Sequence, residues 1–276
     1  MDDVDRAASI APPEQVLLAF GATEAPAQLA GGQGQTFRSG AIVLKPVPDD
    51  AVTAWLSEVM STVDGEGFRV PRPLRATTGA WVCDGWAAWR FVDGAPQQGN
   101  WSREIETCVR FHEAIATVPR PDCLDDLVSP WAVADRVSWG ELELELDPRI
   151  EPHVDRLRDR LRPIAAADQL VHGDFGGSNL LFHPDLPPAV LDMSPYWRPA
   201  GLAVGVLVAD AIVWEGAHTD LCREAEGIAD FPQLLARAEL RRIVELQTIE
   251  AMLGWPMLGE IEDHLPLIDH ICRYCA

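Results

Sequence analysis

The sequence Leu-Val-His-Gly-Asp-Phe-Gly-Gly-Ser-Asn-Leu-Leu-Phe, residues 170–182, carries the most specific pattern in the chain. It places Asp174 and Asn179 five residues apart in a glycine-rich loop between two short apolar runs, which we predict to be strands. Asp192 follows a further apolar run, residues 189–191, thirteen residues after Asn179. Three oxygen-bearing side chains at strand ends suit a general base together with the ligands of a hard cation such as Mg²⁺.

Lys45 is the only lysine among the 22 basic residues of the chain. The accompanying bias toward Arg, Ala, Gly and Pro is typical of a GC-rich genome, in which lysine is retained where arginine cannot replace it. The lysine ammonium group is a compact charge on a flexible stem, whereas the guanidinium group is a planar fork. We therefore treat Lys45 as a candidate functional residue before considering any motif.

The first third of the chain has the pattern of a small sheet with one main helix. Residues 49–63 show helical spacing of apolar residues and predict that helix. Three glycines lie between the first two predicted strands, where bare backbone can approach a phosphate: Gly31, Gly32 and Gly34. Taken alone, such a run more often marks a hairpin turn. Five segments have the composition of strands bounded by turn residues: 27–30, 35–38, 41–47, 80–83 and 86–92.

The pattern changes at residues 93–96, Asp-Gly-Ala-Pro, and becomes mainly helical. We therefore predict a smaller, strand-rich lobe over residues 1–93 and a larger, helical lobe over residues 94–276. Asp210 is the only charged residue of the segment 202–214, so that helix should be buried. The predicted helices of this part are 101–118, 130–139, 152–164, 202–214, 237–253 and 260–273.

Composition restricts the classes of partner. Of the 276 residues, 47% are hydrophobic and 24% are charged, which is typical of a globular protein. A formal net charge of −21 opposes electrostatic binding to nucleic acid or to an anionic membrane. That charge suits a cationic small substrate, although an acidic surface kept for solubility explains it equally well. No apolar run approaches the roughly 18 residues that cross a bilayer, and the first five residues are acidic where a signal peptide is basic, so we expect a cytoplasmic protein.

His172, Gly173, Asp174, Asn179 and Asp192 together resemble the H-G-D-x-x-x-x-N motif and the distal aspartate of the aminoglycoside phosphotransferases. These enzymes and the choline kinase-like enzymes share the fold of the protein kinases. The resemblance implies an α+β, bilobal, protein-kinase-like fold, with an antiparallel sheet and one main helix in the N-terminal lobe. It also implies that Asp174 is the catalytic base and that Asn179 and Asp192 bind Mg²⁺.

The same resemblance assigns nucleotide binding to the N-terminal lobe. It implies that the three glycines cover the phosphates and that Lys45 contacts the α- and β-phosphates of ATP, with GTP left open. Glu58, on the predicted helix, would orient Lys45, and the alternative for Glu58 is a solvated helix residue. The hinge between the lobes, whose backbone would contact the nucleobase, falls at Arg90, Phe91 and Val92.

We expect the acceptor to be a hydroxyl group of a small molecule. Only nine residues separate Asp192 from residue 202, which leaves no room for the activation loop of a protein kinase. Residues 196–199, Tyr-Trp-Arg-Pro, replace an acidic Gly-Asp pair common in the resembled family, so resistance and metabolism both stay open as roles. Acidic residues that would suit an aminated sugar or a basic antibiotic, or form a solvated face, are Glu141, Glu143, Glu145, Glu215 and Asp220, with His218 beside them.

Two other function classes remain at this point. One is a nucleotide-binding pseudokinase or scaffold without transfer activity. The joint presence of four candidate residues argues against it: Lys45, Asp174, Asn179 and Asp192. The other is a metal-dependent hydrolase using Asp174, Asp192 and a nearby histidine, which leaves Lys45 and the glycine run unexplained. The sequence also leaves a homodimer open. Cys272 and Cys275 are more simply interpreted as ordinary thiols of a terminal helix than as a redox or metal site.

Overall fold

The chain folds as two units in the computed structural model, which describes residues 11–29 and 34–274. The first unit runs to Ala95 and also takes in Leu181–Leu191. The second comprises Pro96–Leu180 and the chain from Asp192 onward. The predicted α+β class is confirmed, because the first unit contains an antiparallel sheet and the second is mostly helical.

The segment Leu181–Leu191 differs from the sequence prediction, which placed everything after residue 93 in the second lobe. Its backbone is hydrogen-bonded within the first unit at two places. Phe182 and Ala95 exchange two N–H···O bonds of 2.9 and 3.0 Å, and the N–H of Arg69 donates to the carbonyl of Pro188 at 2.9 Å. These pairs join residues far apart in sequence, and local composition gives no signal for such pairing.

Six short strands form the sheet of the first unit: β1 (Ala27–Gln28), β2 (Phe37–Ser39), β3 (Ile42–Pro46), β4 (Pro73–Leu74), β5 (Val82–Cys83) and β6 (Trp86–Arg90). All of their pairings are antiparallel, in the order β1-β2-β3-β6-β4, and β5 pairs with β6. The predicted turn between β2 and β3 contains Gly40, whose φ of 58° glycine adopts without steric penalty.

The described residues of the first unit also form the helices α1 (Glu14–Ala19) and α2 (Asp50–Thr62). Asp49 caps α2, because its Oδ1 accepts a hydrogen bond of 2.9 Å from the N–H of Val52. Leu44, at the centre of β3, is fully buried. Because successive strand residues alternate between the two faces of a sheet, Lys45 projects to the other face. The buried cluster around Leu44 includes Val16, Phe20, Phe37, Trp86 and Ala88.

The helices of the second unit are α3 (Trp101–Ala114), α4 (Pro130–Ser138), α5 (Glu151–Arg158), α6 (Gly201–Val213), α7 (Phe231–Leu253) and α8 (Ile261–Tyr274). The other strands within the described ranges are β7 (Asp168–His172), β8 (Leu180–Leu181), β9 (Ala189–Val190) and β10 (Pro195–Pro199). Among the helices within residues 11–29 and 34–274, none combines the length and hydropathy that spanning a membrane requires.

Strand β10 lies where the sequence analysis assigns neither a strand nor a helix. It pairs antiparallel with β7, so that Pro195 is opposite His172 and Pro199 is opposite Asp168. Proline at both ends argues against a strand, because proline has no N–H to donate to a ladder. Here the two prolines occupy the ends of a two-stranded ladder, so three residues between them carry the continuous pairing.

Helix α7 begins at Phe231, six residues before the predicted start at residue 237. Pro232 explains the difference. Proline is normally a helix breaker, but in the first turn its missing N–H would have no partner within the helix in any case. The early start lengthens the contact between α7 and α6. Helix α6 is apolar and buried along most of its length, as predicted.

Replacing Gly205 of α6 by alanine should destabilise the protein. A Cβ at this position would lie 2.9 Å from the carbonyl oxygen of Leu234, and backbone atoms cannot move aside cheaply. We expect the free energy of unfolding, measured in urea, to fall by about 1–3 kcal/mol despite the higher helix propensity of alanine. Gly227→Ala is the matched control, because nothing lies within 4 Å of its added Cβ. Unchanged stability of Gly205→Ala would contradict this packing.

Candidate active site

The loop after β7 follows a path that favours glycine at three positions. A Cβ at Gly173 would overlap the ring of Tyr196, so the absence of a side chain allows the strand end to pass that ring. Gly176 and Gly177 have φ angles of 116° and 53°, in the region that residues with a side chain rarely adopt. The glycines of the motif therefore set the shape of the loop.

This loop brings two of the predicted site residues together. The side-chain nitrogen Nδ2 of Asn179 donates to Oδ2 of Asp174 at 2.9 Å and to the carbonyl of Asp174 at 2.8 Å. The side chain of Asp174 is nevertheless 48% exposed. Because Asn179 uses its amide nitrogen within the loop, its amide oxygen is the atom suited to a cation.

Asp192 is the other predicted cation ligand, and its side chain is exposed. Its φ of 48° is uncommon outside glycine and is adopted mostly by Asp and Asn. In the part of the chain that the structure describes, no group of three or more His, Cys, Asp or Glu residues is arranged to hold a metal ion. Magnesium usually takes only one or two protein carboxylates and completes its shell with phosphate and water. Asn179 and Asp192 have the donor chemistry for that mode of binding.

Arg242 of α7 also contacts Asp174, and no sequence motif predicts it. Its Nη2 donates to Oδ1 of Asp174 at 2.8 Å. The same guanidinium group binds both carboxylate oxygens of Asp210, through Nε at 2.9 Å and Nη2 at 2.5 Å. Its Nη1 donates to Glu245 at 2.7 Å. The signal that could have revealed this cluster was Asp210, because a lone charge in a buried helix requires a buried partner.

The pKa values of Asp174 and Asp210, which both bind Arg242, shift in opposite directions. Burial would raise the pKa of Asp174, but the charge and hydrogen bond of Arg242 outweigh it and hold that pKa below its ordinary value. For Asp210, burial dominates over Arg242 and raises the pKa to about 6. Asp174 is therefore anionic at neutral pH, as a proton acceptor must be.

The neighbouring Arg241 fixes the backbone of the same loop. Its Nη2 donates to the carbonyl of Gly173 at 2.6 Å, and its Nε donates to Glu245 at 2.6 Å. Its guanidinium carbon lies 4.6 Å from the centre of the Tyr196 ring. Two consecutive residues of α7 thus reach two different atoms of the loop, and Glu245 pairs with both of them.

His112 of α3 supports the end of β7 by a buried hydrogen bond. Its Nε2 accepts from the N–H of His172 at 3.0 Å, so its Nδ1 carries the proton and donates to the carbonyl of Cys108 at 2.7 Å. Burial lowers the pKa of His112 to about 4. His172 itself accepts from the N–H of Asp174 at 3.2 Å. Both histidines therefore shape the loop.

The first unit carries the predicted phosphate-binding residues. Lys45 lies in β3 opposite Ala87 of β6. Glu58 lies on α2, is 62% exposed, and its Oε2 accepts hydrogen bonds from Arg75 at 2.7 Å and from Trp81 at 2.9 Å. Its role toward Lys45 stays a prediction. Gly34 has a φ of 72°, whereas the predicted glycines Gly31 and Gly32 lie outside the described residues.

The predicted hinge starts at the end of β6 with Arg90. The N–H of Arg90 donates to Arg72 and that of Phe91 donates to Ala41, at 2.8 and 2.9 Å. These two N–H groups are hydrogen-bonded within the first unit. The predicted backbone contacts with a nucleobase are therefore limited to the carbonyls of Arg90 and Phe91 and to Val92. The ring of Phe91 is covered by a guanidinium carbon 3.5 Å from its centre, which belongs to Arg38.

Arg198 of β10 is buried in an ion-pair cluster. It binds Asp135 at 2.6 Å and both oxygens of Glu141 at 2.6 and 2.8 Å. Glu141, which the sequence left between an acceptor ligand and a solvated residue, therefore holds β10 in the second unit. A cavity of about 420 Å³ borders Arg198 and Tyr196, but Asp174 does not line it.

Two carboxylates lie beside the glycines of the loop. A Cβ added at Gly176 would lie 3.4 Å from Oε2 of Glu104, and one added at Gly177 would lie 3.2 Å from Oε1 of Glu215. Glu215 was a sequence candidate, and its Oε2 accepts from Trp101 at 2.7 Å. Glu104 was not predicted, because it occupies an unremarkable polar position in α3. It is 2% exposed, and burial followed by the charge of Glu215 raises its pKa to about 7.

Glu104→Gln should stabilise the protein in a pH-dependent way. The folded protein holds a proton on Glu104 that the unfolded chain releases above its ordinary pKa of 4.5, so stability falls as the pH rises toward 7. Glutamine cannot ionise, so we expect urea unfolding to show a gain of up to about 3 kcal/mol at pH 8 and almost none near pH 4. Exposed Glu106 provides the control substitution Glu106→Gln. A gain that is equal at both pH values would contradict the ionisation argument.

The chain is similar in sequence to a curated kinase and in fold to several solved phosphotransferases. A probable ketoamine kinase of Escherichia coli K12, YniA, is 27% identical over 103 residues, which are 36% of this chain and 35% of the relative. The aligned part thus spans about a third of that relative. Spectinomycin phosphotransferase APH(9)-Ia, solved with ADP and spectinomycin, has a TM-score of 0.60 at 14% identity over 95% of this chain and 96% of its own.

An aminoglycoside phosphotransferase from Alicyclobacillus acidocaldarius has a TM-score of 0.58 at 14% identity, over 99% of this chain and 98% of its own. At these identities the likeness shows the fold, and it confirms the predicted kinase-like architecture. A family model described as the phosphotransferase enzyme family matches residues 38–194, which include Lys45, the loop after β7 and Asp192. As this match covers more than half of the sequence, the chain belongs to the phosphotransferase enzyme family.

Proposed function

We propose that this protein is an ATP- and Mg²⁺-dependent kinase that transfers the γ-phosphoryl group to a hydroxyl of a small molecule. The observation that carries the proposal is the state of Asp174. Its carboxylate is fixed by Asn179 on one oxygen and by Arg242 on the other, yet it is 48% exposed. A carboxylate oxygen has two lone pairs, so each retains capacity for an acceptor hydroxyl. Family membership supports the reaction class, and the ADP bound by the related spectinomycin phosphotransferase supports the nucleotide.

Asp174 would act on the acceptor. The hydroxyl donates a hydrogen bond to the carboxylate, and its proton moves to Asp174 as the hydroxyl oxygen bonds to the γ-phosphorus. The bond from that phosphorus to the β–γ bridging oxygen breaks, ADP leaves, and the proton passes to solvent. Because such transition states are largely dissociative, orientation of the hydroxyl matters more than the strength of the base.

Lys45 would bind the α- and β-phosphates, with Glu58 orienting its ammonium group. Asn179 and Asp192 would hold Mg²⁺, which would supply positive charge against the phosphate oxygens. The three glycines at 31, 32 and 34 would cover the phosphates with backbone. Residues 90–92 would border the nucleobase through backbone groups other than the N–H groups of Arg90 and Phe91, which are hydrogen-bonded to Arg72 and Ala41.

The acceptor we propose is a cationic, aminated sugar or antibiotic. The net charge of −21 supports a cation, as does the position of Glu215 beside Gly177 of the loop. Proteins similar to this chain are named as acting on spectinomycin and, for the E. coli relative, on ketoamines. We place the reaction in the cytoplasm, where ATP is available.

A screen tests the proposal directly. Thermal unfolding with MgATP or MgGTP, followed by ADP or GDP release in the presence of aminated sugars, ketoamines and aminoglycosides, should show nucleotide stabilisation and turnover with one acceptor class. Stabilisation by MgATP without turnover of any hydroxyl compound would favour a nucleotide-binding scaffold. Absence of any nucleotide effect would reject both.

Asp174→Asn should abolish transfer while leaving nucleotide binding intact. Asparagine preserves the shape and can still accept from Arg242, but it cannot take the hydroxyl proton. We expect kcat to fall about 100-fold or more, with the Kd for MgATP unchanged. Asp126→Asn, at an exposed carboxylate of the second unit, should retain the wild-type rate. Full activity of Asp174→Asn would remove Asp174 from the mechanism.

Lys45→Arg should lose most of the activity although the charge is retained. The planar guanidinium fork cannot reproduce the geometry of a compact ammonium group in β3. We expect the Kd for MgATP to rise and kcat to fall by about tenfold or more. Arg110→Lys, at an exposed position paired with Glu106, is the matched control in the reverse direction. A wild-type rate in Lys45→Arg would show that the only lysine has no catalytic role.

A further inference from the structure

The hydrogen bonds of the Arg242 guanidinium group to Asp210 and Glu245 fix the direction in which it donates to Asp174. Its side chain is 7% exposed, and its partner Glu245 is 5% exposed. Asp210 binds Nε and Nη2 with both carboxylate oxygens, which fixes the plane of the guanidinium group. Glu245 takes Nη1. The second hydrogen of Nη2 then points along the contact with Oδ1 of Asp174.

We infer that Arg242 is a positioning residue, which with Asn179 orients the carboxylate of Asp174 toward the acceptor hydroxyl. This inference rests on the proposed function. Asn179 holds Oδ2 from within the loop, and Arg242 holds Oδ1 from α7. With both oxygens fixed, rotation of the carboxylate is prevented, and its exposed side is the approach for the hydroxyl.

Charge compensation alone does not require this contact. Arg242 already has Asp210 and Glu245 as partners, and Glu245 has a second partner in Arg241. The structure adds a third carboxylate, that of Asp174, which is half exposed and could have been solvated instead. A lysine at position 242 would supply the charge but could not bind Asp210 through two nitrogens and Asp174 at the same time.

The experiment measures Arg242→Met and Arg242→Lys in the wild-type and Asp174→Asn backgrounds. The readout is release of radiolabelled phosphate from MgATP to water, so that no acceptor need be known. In the wild-type background we expect kcat to fall about 10- to 100-fold for methionine, with partial recovery for lysine and the KM for MgATP unchanged. In the Asp174→Asn background the same change should alter the residual rate by less than about twofold. Equal losses in both backgrounds would mean a merely structural role and would overturn the inference.

Arg237→Met is the matched control on the same helix. Arg237 packs 4.4 Å from the ring centre of Trp139 and donates to the carbonyl of Ser138, away from the loop. It should lower stability without changing kcat. A loss of kcat in this variant equal to that of Arg242→Met would also overturn the inference.

Failure of the proposed function is recognised separately, as absence of any ADP formation from MgATP by the wild-type protein with or without acceptors. The contact is then decided by urea unfolding of Arg242→Met, Asp174→Asn and the double variant. Smaller destabilisation by Arg242→Met in the Asp174→Asn background supports the contact, and additive effects overturn it. Arg242→Lys replaces the methionine variant in this cycle if the latter does not fold.

Discussion

The second unit depends on the ion pairs that two buried arginines, adjacent on α7, form with nearby carboxylates. Removing a guanidinium group from water costs several kcal/mol, roughly, and only close carboxylates with good hydrogen-bond geometry offset that cost. Arg241 and Arg242 meet this requirement through Glu245 of their own helix and Asp210 of α6. The loop after β7 completes the arrangement with the carbonyl of Gly173. The same ion pairs and hydrogen bonds therefore fix both the packing of α6 against α7 and the position of the loop after β7.

The strongest sequence pattern succeeded because its chemical requirements are local. The spacing of Asp174 and Asn179 within one glycine-rich loop is enough for their side chains to meet, and the structure shows that they do. The strands of the first unit followed from apolar segments bounded by turn residues, and their antiparallel pairing was implied by the resemblance to the aminoglycoside phosphotransferases. Lys45 was singled out by its uniqueness, and its position on a central strand follows from the same pattern. Its contact with nucleotide phosphates, like the role of Glu58, stays a prediction.

What the sequence could not give depends on contacts between distant segments. Arg242 and Glu104 occupy polar positions of helices, where a solvated residue is the ordinary expectation. Only folding reveals that both are buried beside the loop after β7. Strand β10 was missed for a different reason, since its terminal prolines oppose the strand propensity of the residues between them. The lone Asp210 in an apolar helix was the one local indication that a buried cation existed.

The discontinuous first unit has a consequence for the order in which the chain can mature. When Ala95 has been synthesised, the N–H of Arg69 and both backbone groups of Ala95 still lack the partners that Leu181–Leu191 supplies. The first unit therefore cannot form these hydrogen bonds until Pro96–Leu180, half of the second unit, has been synthesised. No single cut in the gene separates the units, and a recombinant fragment ending at Ala95 would contain strands β1 to β6 but lack the partners of Arg69 and Ala95.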